Sequence, residues 1–199
     1  MTSENMSAEI LEKRTIHDGW AKYSVLRVRL PDGQTAEREL EEHGPAVAVL
    51  PYDAERRTAL LVCQFRAPVL AAAGEATLME AVAGLADGEA PDVAARREAL
   101  EETGVQLKAL EAVGTVWTMP GLSTERMHLY FAPYRRGDRL GKGGGAHGEH
   151  ENITVLELSL HELAAMADGG ALADMKTFAL IQTLRLKRPE LFMAGQSHT

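Results

Sequence analysis

The stretch from Gly84 to Val105 narrows the folds open to this chain more than any other segment. It runs Gly84-Leu-Ala-Asp-Gly-Glu-Ala-Pro-Asp-Val-Ala-Ala-Arg-Arg-Glu-Ala-Leu-Glu-Glu-Thr-Gly104-Val105. Pro91 suits the first position of a helix, where no backbone N–H is needed, and Asp92 suits the positive end of the helix dipole. Gly104 supplies the stop, because it tolerates the left-handed backbone that ends many helices. The pattern predicts a helix over Pro91–Thr103. At about 100° per residue, Glu98, Glu101 and Glu102 share one face and Val93, Ala99 and Leu100 the other. The expected helix buries its apolar side and presents its carboxylates together.

Such a face is often merely solvated, and like charges this close repel mildly. On this reading neither Arg96 nor Arg97 lies squarely among the carboxylates. The glycine-bearing loop before the helix favours a second reading. A strand, a tight loop and a carboxylate helix can set oxygen ligands around a hard divalent ion such as magnesium, which is usually shared with substrate phosphates.

The bulk numbers bound the setting. A chain of 199 residues suits one domain, or one domain with a small appendage. The net charge of −8 argues against a broad nucleic-acid or anionic-membrane footprint, so neither partner is expected. An acidic protein that handles phosphates needs a cation to mediate. Cys63 is the single cysteine, which excludes an intrachain disulfide and fits a reducing compartment. Its apolar surroundings in Thr58–Phe65 predict a buried strand residue rather than a nucleophile. Met1–Ile10 is polar and acidic, without an apolar signal region. No run approaches the roughly 18 apolar residues of a membrane span. A cytoplasmic protein is expected.

Strands are predicted at Tyr23–Leu30 and Gln34–Glu42 around a Pro31–Gly33 turn, and they form a small antiparallel unit over 1–45. A hairpin alone is marginal in water, so this unit must pack on something else. From Ala46 onward, strands are expected at Ala46–Leu50, Thr58–Phe65, Thr77–Val82, Val113–Thr118, Met127–Ala132 and Ile153–Leu158. Helices are expected at His161–Ala167 and Lys176–Lys187, a small-residue loop at Val69–Ala76, and a mobile glycine-rich loop at Gly137–Gly148. Interspersed helices without strict βαβ alternation imply a mixed sheet between helical layers, an α/β fold over 46–199.

Arg97-Glu98-Ala99-Leu100-Glu101-Glu102-Thr103-Gly104, with Glu89 eight residues before Arg97, resembles the signature of the Nudix hydrolases. Four residues separate Gly84 from Glu89, where the usual signature has five, and Ala99 replaces a larger aliphatic residue. The shortened loop is similar to that of the GDP-mannose hydrolase branch. The resemblance to that branch runs from about Trp20 to Thr183. It includes Gln64-Phe65-Arg66, Met79-Glu80 leading to Gly84-Leu85, Met119-Pro120-Gly121 with Thr124-Glu125, and Gly143–Gly145 followed by Glu149-His150-Glu151. Val155–Leu158 and Asp174-Met175-Lys176-Thr177 complete it. Pro120 stands 16 residues after Gly104, where ADP-ribose hydrolases of the family carry a proline.

The resemblance implies a Nudix-type α/β/α sandwich and a homodimer formed through an exchanged N-terminal β unit. The implied reaction is magnesium-dependent hydrolysis of a nucleoside diphosphate sugar, with manganese as a substitute ion. GDP-mannose is the first substrate, ADP-ribose the enzymatic alternative, and a non-catalytic nucleotide-sugar sensor the alternative outside enzymes. Glu98, Glu102 and the Ala83 carbonyl become metal ligands, and Glu101 supports a second ion or its waters. Glu151 becomes ligand or general base, with Glu149 its rival.

Arg66 and Lys176 become phosphate partners, and Glu125 a contact to base or sugar. The plainer readings are a structural ion pair for Arg66, a surface lysine for Lys176 and a solvated loop for Glu125. Trp20, Arg38 and Glu39 would come from the second subunit, with Trp20 stacking on a base or simply packing. His147 and His150 lack a third fixed ligand for zinc and read as solvated.

Overall fold

The described part of the first forty-five residues forms strands almost without an apolar face. In the computed structural model, which describes residues 7–145 and 152–193, Glu9–Asp18 (β1), Lys22–Arg29 (β2) and Thr35–Glu42 (β3) form an antiparallel sheet in the order β1-β2-β3. β1 is not foreseen, because nine of its ten residues are exposed and no alternation marks it. The predicted turn is present. The Gly33 N–H donates to the Leu30 carbonyl at 2.9 Å, with Gly33 in the left-handed region. The chain divides into two compact units, Met1–Pro45 with Val116–Met127, and Ala46–Thr115 with His128–Thr199.

The second unit is the α/β/α sandwich. Ala46–Asp53 (β4) is buried at every position, as a central strand covered on both faces must be. Thr58–Phe65 (β5) returns beside it. The expected loop at Val69–Ala76 is instead largely a helix, Ala67–Ala73 (α1), whose Pro68 suits the first turn and whose Gly74 ends it at φ 74°.

Thr77–Glu80 (β6) and Val82–Leu85 (β7) replace the single strand expected over Thr77–Val82. β6 pairs with β5 and β7 with β4, so the chain changes partner at Ala81. The Ala81 N–H donates to the Thr177 hydroxyl at 2.6 Å. This switch delivers Ala83 and Gly84 to the helix that follows.

Pro91–Thr103 (α2), Glu111–Trp117 (β8), Arg126–Pro133 (β9), Thr154–Ser159 (β10), Leu160–Asp168 (α3) and Met175–Lys187 (α4) complete the order. The sheet runs β10-β5-β4-β9-β8, with β6 and β7 attached to β5 and β4. α3 and α4 start on side-chain caps, Ser159 accepting from the Glu162 N–H and Asp174 from the Thr177 N–H. The core joins Val47, Val49, Leu60 and Val62 of the sheet to Ala94, Ala95 and Ala99 of α2. Cys63 is half-buried on β5. No helix among the described residues is long and apolar enough to cross a membrane.

Candidate active site

α2 has the predicted ends but not the predicted faces. Pro91 occupies its first turn, and Gly104 closes it at φ 73° with its N–H on the Leu100 carbonyl at 2.9 Å. Val93 and Leu100, expected to be buried, are 48% and 43% exposed. Ala94, Ala95 and Ala99 take their place, and Glu102 is buried with them at 2% exposure. Small side chains let the helix lie close to β4 and β7, and that closeness draws the carboxylates inward.

Arg97 lies squarely among the carboxylates, contrary to the expectation. Its Nε donates to Glu89 at 2.8 Å, its Nη1 to Glu98 at 2.8 Å and Glu101 at 3.0 Å, and its Nη2 to the Leu85 carbonyl at 3.1 Å. Burial alone would lower the affinity of this guanidinium for its proton. The hydrogen bonds to Glu89, Glu101 and Glu98 and the charge of Glu98 outweigh that and raise it. One planar fork thus ties the loop before α2 to the carboxylate face of α2.

The carboxylate of Glu98 rests directly on Gly84. A Cβ built on that glycine would lie 1.9 Å from Glu98 Oε1 and 2.2 Å from its Cδ. The Ala83 N–H donates to Glu102 Oε2 at 3.3 Å. Glu98, Glu102 and the Ala83–Gly84 backbone therefore meet at one point. A donor set of carboxylate oxygens beside a strand-end carbonyl fits a hard divalent cation. Among the described residues no three His, Cys, Asp or Glu side chains form a closed ligand cluster. The residues that fit are two carboxylates and a backbone oxygen. Glu149 and Glu151 lie outside the described residues, as do His147 and His150.

A second ionic cluster sits behind the first. Glu80, 2% exposed at the end of β6, receives Arg66 Nε at 2.6 Å and Nη2 at 3.0 Å, and also the Lys176 ammonium. Burial alone would push the Glu80 carboxyl up. The hydrogen bond from Arg66, with the charge of Lys176, outweighs it and holds the carboxyl below its ordinary value. Lys176 also reaches Asp174 at 3.0 Å, whose other oxygen accepts from Thr177 N–H and Oγ1. The ion-pair reading of Arg66 is the arrangement present, and Lys176 is no surface lysine, its side chain being 12% exposed. The sequence reading gave Glu80 no role. A lone carboxylate inside the apolar Leu78–Val82 stretch was its signal.

The described part of the glycine-rich loop is packed, not loose. Leu140 N–H donates to the Gly104 carbonyl at 2.7 Å, Gly144 N–H to the backbone carbonyl of Glu102 at 2.9 Å and Gly145 N–H to that of Glu101 at 3.1 Å. A Cβ on Gly143 would come within 2.2 Å of the Glu102 carbonyl oxygen. These glycines permit close approach to the open end of α2, whose last carbonyls need donors.

In the first unit, Trp20 is 77% exposed and its ring centroid lies 5.0 Å from that of His43. Arg38 and Glu39 are exposed on β3, paired across the sheet with Leu26 and Val25. Glu125 is not a solvated loop residue. Its side chain is 14% exposed and its Oε2 lies 3.3 Å from His43 Nε2.

Comparison with known proteins bears on this arrangement. A family model described as NUDIX domain matches residues 42–178. A GDP-mannose pyrophosphatase of Cronobacter sakazakii is 35% identical over 191 residues, covering 92% of this chain and 97% of that protein. One from Pectobacterium atrosepticum is 36% identical over 179 residues, covering 87% and 92%. Among solved structures, an ADP compounds hydrolase superposes with a TM-score of 0.75 at 16% identity, covering 93% of this chain and 96% of that one. That likeness supports the fold.

Proposed function

Because the chain belongs to the NUDIX domain family, we propose that it hydrolyses the phosphoric anhydride of a nucleoside diphosphate sugar, with GDP-mannose as the first substrate. The products are a nucleoside monophosphate and a sugar 1-phosphate. The observation that carries this reading is the meeting of Glu98 and Glu102 on the Ala83–Gly84 backbone. Relatives about 35% identical across nearly the whole chain bear the name GDP-mannose pyrophosphatase, which supports the substrate.

Glu98, Glu102 and the Ala83 carbonyl would hold magnesium, or manganese in its place, and Glu101 would steady a second ion or its waters. A divalent ion held there would supply neutralisation of charge on phosphate oxygens and a water that is easier to deprotonate. Arg97 keeps Glu98 and Glu101 in register with the loop. Glu151, or Glu149, supplies the general base. Arg66, with 40% of its side chain exposed, can turn its outer edge to a phosphate while Glu80 anchors the other side. Lys176 sets the charge balance around Glu80. Trp20, Arg38, Glu39 and Glu125 recognise base and sugar. The working form is a cytoplasmic homodimer in which the 1–45 unit of a second copy lends Trp20, Arg38 and Glu39. Pro120 favours a second reading, ADP-ribose cleaved to AMP and ribose 5-phosphate.

The test is cleavage of GDP-mannose and ADP-ribose side by side, with magnesium, by the wild type and Glu102→Gln. Turnover of GDP-mannose that disappears in the variant supports the proposal. Faster turnover of ADP-ribose moves the substrate, and no turnover of either removes the activity.

A further inference from the structure

Thr177 is fully buried, yet its hydroxyl serves no need of the helix that carries it. It lies in the first turn of α4, where the Asp174 carboxylate already caps the helix by accepting from the Thr177 N–H at 2.9 Å. The Thr177 hydroxyl donates to the same oxygen, Asp174 Oδ2. A carboxylate only accepts, so the hydroxyl hydrogen is committed to it, and the lone pairs of Oγ1 remain for another donor. That donor is the Ala81 N–H, at 2.6 Å.

Ala81 needs this acceptor. β6 ends its pairing at Glu80, opposite Val62, and β7 begins its own at Val82, opposite Val49. Ala81 stands between the two ladders, is paired in neither and is fully buried. A buried backbone N–H without an acceptor is costly and rare. Here the acceptor is held in place by α4, whose Leu180, Ile181 and Leu184 are fully buried. The residue before Thr177 meets the residue before Ala81, since Lys176 pairs with Glu80. Two neighbours on α4 therefore grip two neighbours at the partner switch.

Two residues beyond Ala81 stands Ala83, whose N–H donates to Glu102 Oε2 at 3.3 Å, and next comes Gly84, on which Glu98 rests. An extended chain advances about 3.3 Å per residue, so Ala83 lies only about 7 Å past the grip. A displacement of Ala81 passes directly into the start of β7. We propose that Thr177 is a positioning residue for the divalent-ion site. Its hydroxyl, oriented by Asp174, fixes the Ala81 N–H and thereby sets where the Ala83 carbonyl stands relative to Glu98 and Glu102. Thr177 touches neither ion nor substrate. The inference rests on the reading of Ala83, Glu98 and Glu102 as the ligands of the ion.

The experiment is manganese binding, without substrate, to the full chain and to Thr177→Val, Thr177→Ala and Thr177→Ser, with free Mn²⁺ counted by electron paramagnetic resonance. Hydrolysis of GDP-mannose is followed in parallel across magnesium concentrations. Thr177→Val keeps the shape and removes the hydroxyl. It should weaken Mn²⁺ binding about 10–100-fold, the loss expected when the support of a metal ligand is removed, and Thr177→Ala should do the same. Thr177→Ser keeps the hydroxyl and should bind within about threefold of the wild type. The magnesium concentration for half-maximal hydrolysis should rise in the same order. Unchanged Mn²⁺ binding by Thr177→Val, whatever its urea midpoint, assigns the hydroxyl to stability alone and overturns the proposal. Equal losses in Thr177→Ser and Thr177→Ala also overturn it, because the methyl group and not the hydroxyl is then responsible. If thermal melts show that Thr177→Val does not fold, the comparison of Thr177→Ala with Thr177→Ser decides the matter. A wild type that takes up no Mn²⁺ overturns the proposal even if it cleaves GDP-mannose. A wild type that binds Mn²⁺, loses it in Thr177→Val and cleaves no nucleotide sugar strikes the activity and leaves Thr177 its role.

Discussion

Glu80 and the Glu98–Glu102 group flank the same partner switch at Ala81, yet their charges are met in opposite ways. Glu80 is closed in by two cations, Arg66 through two hydrogen bonds and Lys176, which Asp174 also holds, and its environment favours the charged form. On α2, one guanidinium serves Glu89, Glu98 and Glu101 together. A buried carboxylate surrounded by fixed cations is structural, and breaking such a pair leaves a stranded charge. Carboxylates gathered on one helix face beside the Ala83–Gly84 backbone, three of them on one guanidinium, are a donor set that suits an added divalent ion.

The comparison breaks most visibly at Glu80. Glu80→Ala removes both hydrogen bonds of Arg66 and leaves Lys176 with Asp174 alone, and should cost about 3–5 kcal/mol in urea unfolding. A loss below about 1 kcal/mol would mean that the cluster is not structural. Glu102→Gln addresses the opposite pole. It should leave the urea midpoint nearly unchanged while hydrolysis falls about 10²–10³-fold. Equal losses of stability in both variants would erase the distinction. Gly84→Ala should fall between, because the added methyl displaces the Glu98 carboxylate. Activity should drop roughly 10–100-fold, with a matching rise in the magnesium concentration needed. Unchanged magnesium dependence would remove Glu98 from the metal.

The smallest effect is in pH. The folded Glu80 carboxyl titrates below its ordinary value. Its contribution to stability is therefore complete above the ordinary carboxylate range and is lost as the pH falls through the lowered folded value. Glu80→Gln should flatten the acid limb of a urea-midpoint profile measured downward from pH 7. A parallel profile would assign that limb to other carboxylates.

Much of this was legible in residues whose spacing carries chemistry. Pro91 and Gly104 marked both ends of α2, and the Arg97–Gly104 pattern pointed to the carboxylates that do converge. Periodicity failed where burial follows size rather than polarity. Val93 and Leu100 are outside, while Ala95 and Glu102 are inside. β1 left no trace because a strand exposed on both faces has no alternation to read. The sites of Lys176 and His43 depend on partners 96 and 82 residues away, Glu80 and Glu125. No local window reaches so far.

Gly84 has a consequence for how this sequence can drift. Every other amino acid carries a Cβ, and here that atom falls where the Glu98 carboxylate already lies. The usual ranking of conservative and radical replacements means little at this position, because even the smallest available step moves the Glu98 carboxylate. Lineages descended from this chain can vary the turn that follows, as its four-residue spacing to Glu89 illustrates. Without the hydrogen atom at Gly84, they keep the carboxylate beside it only in a shifted place.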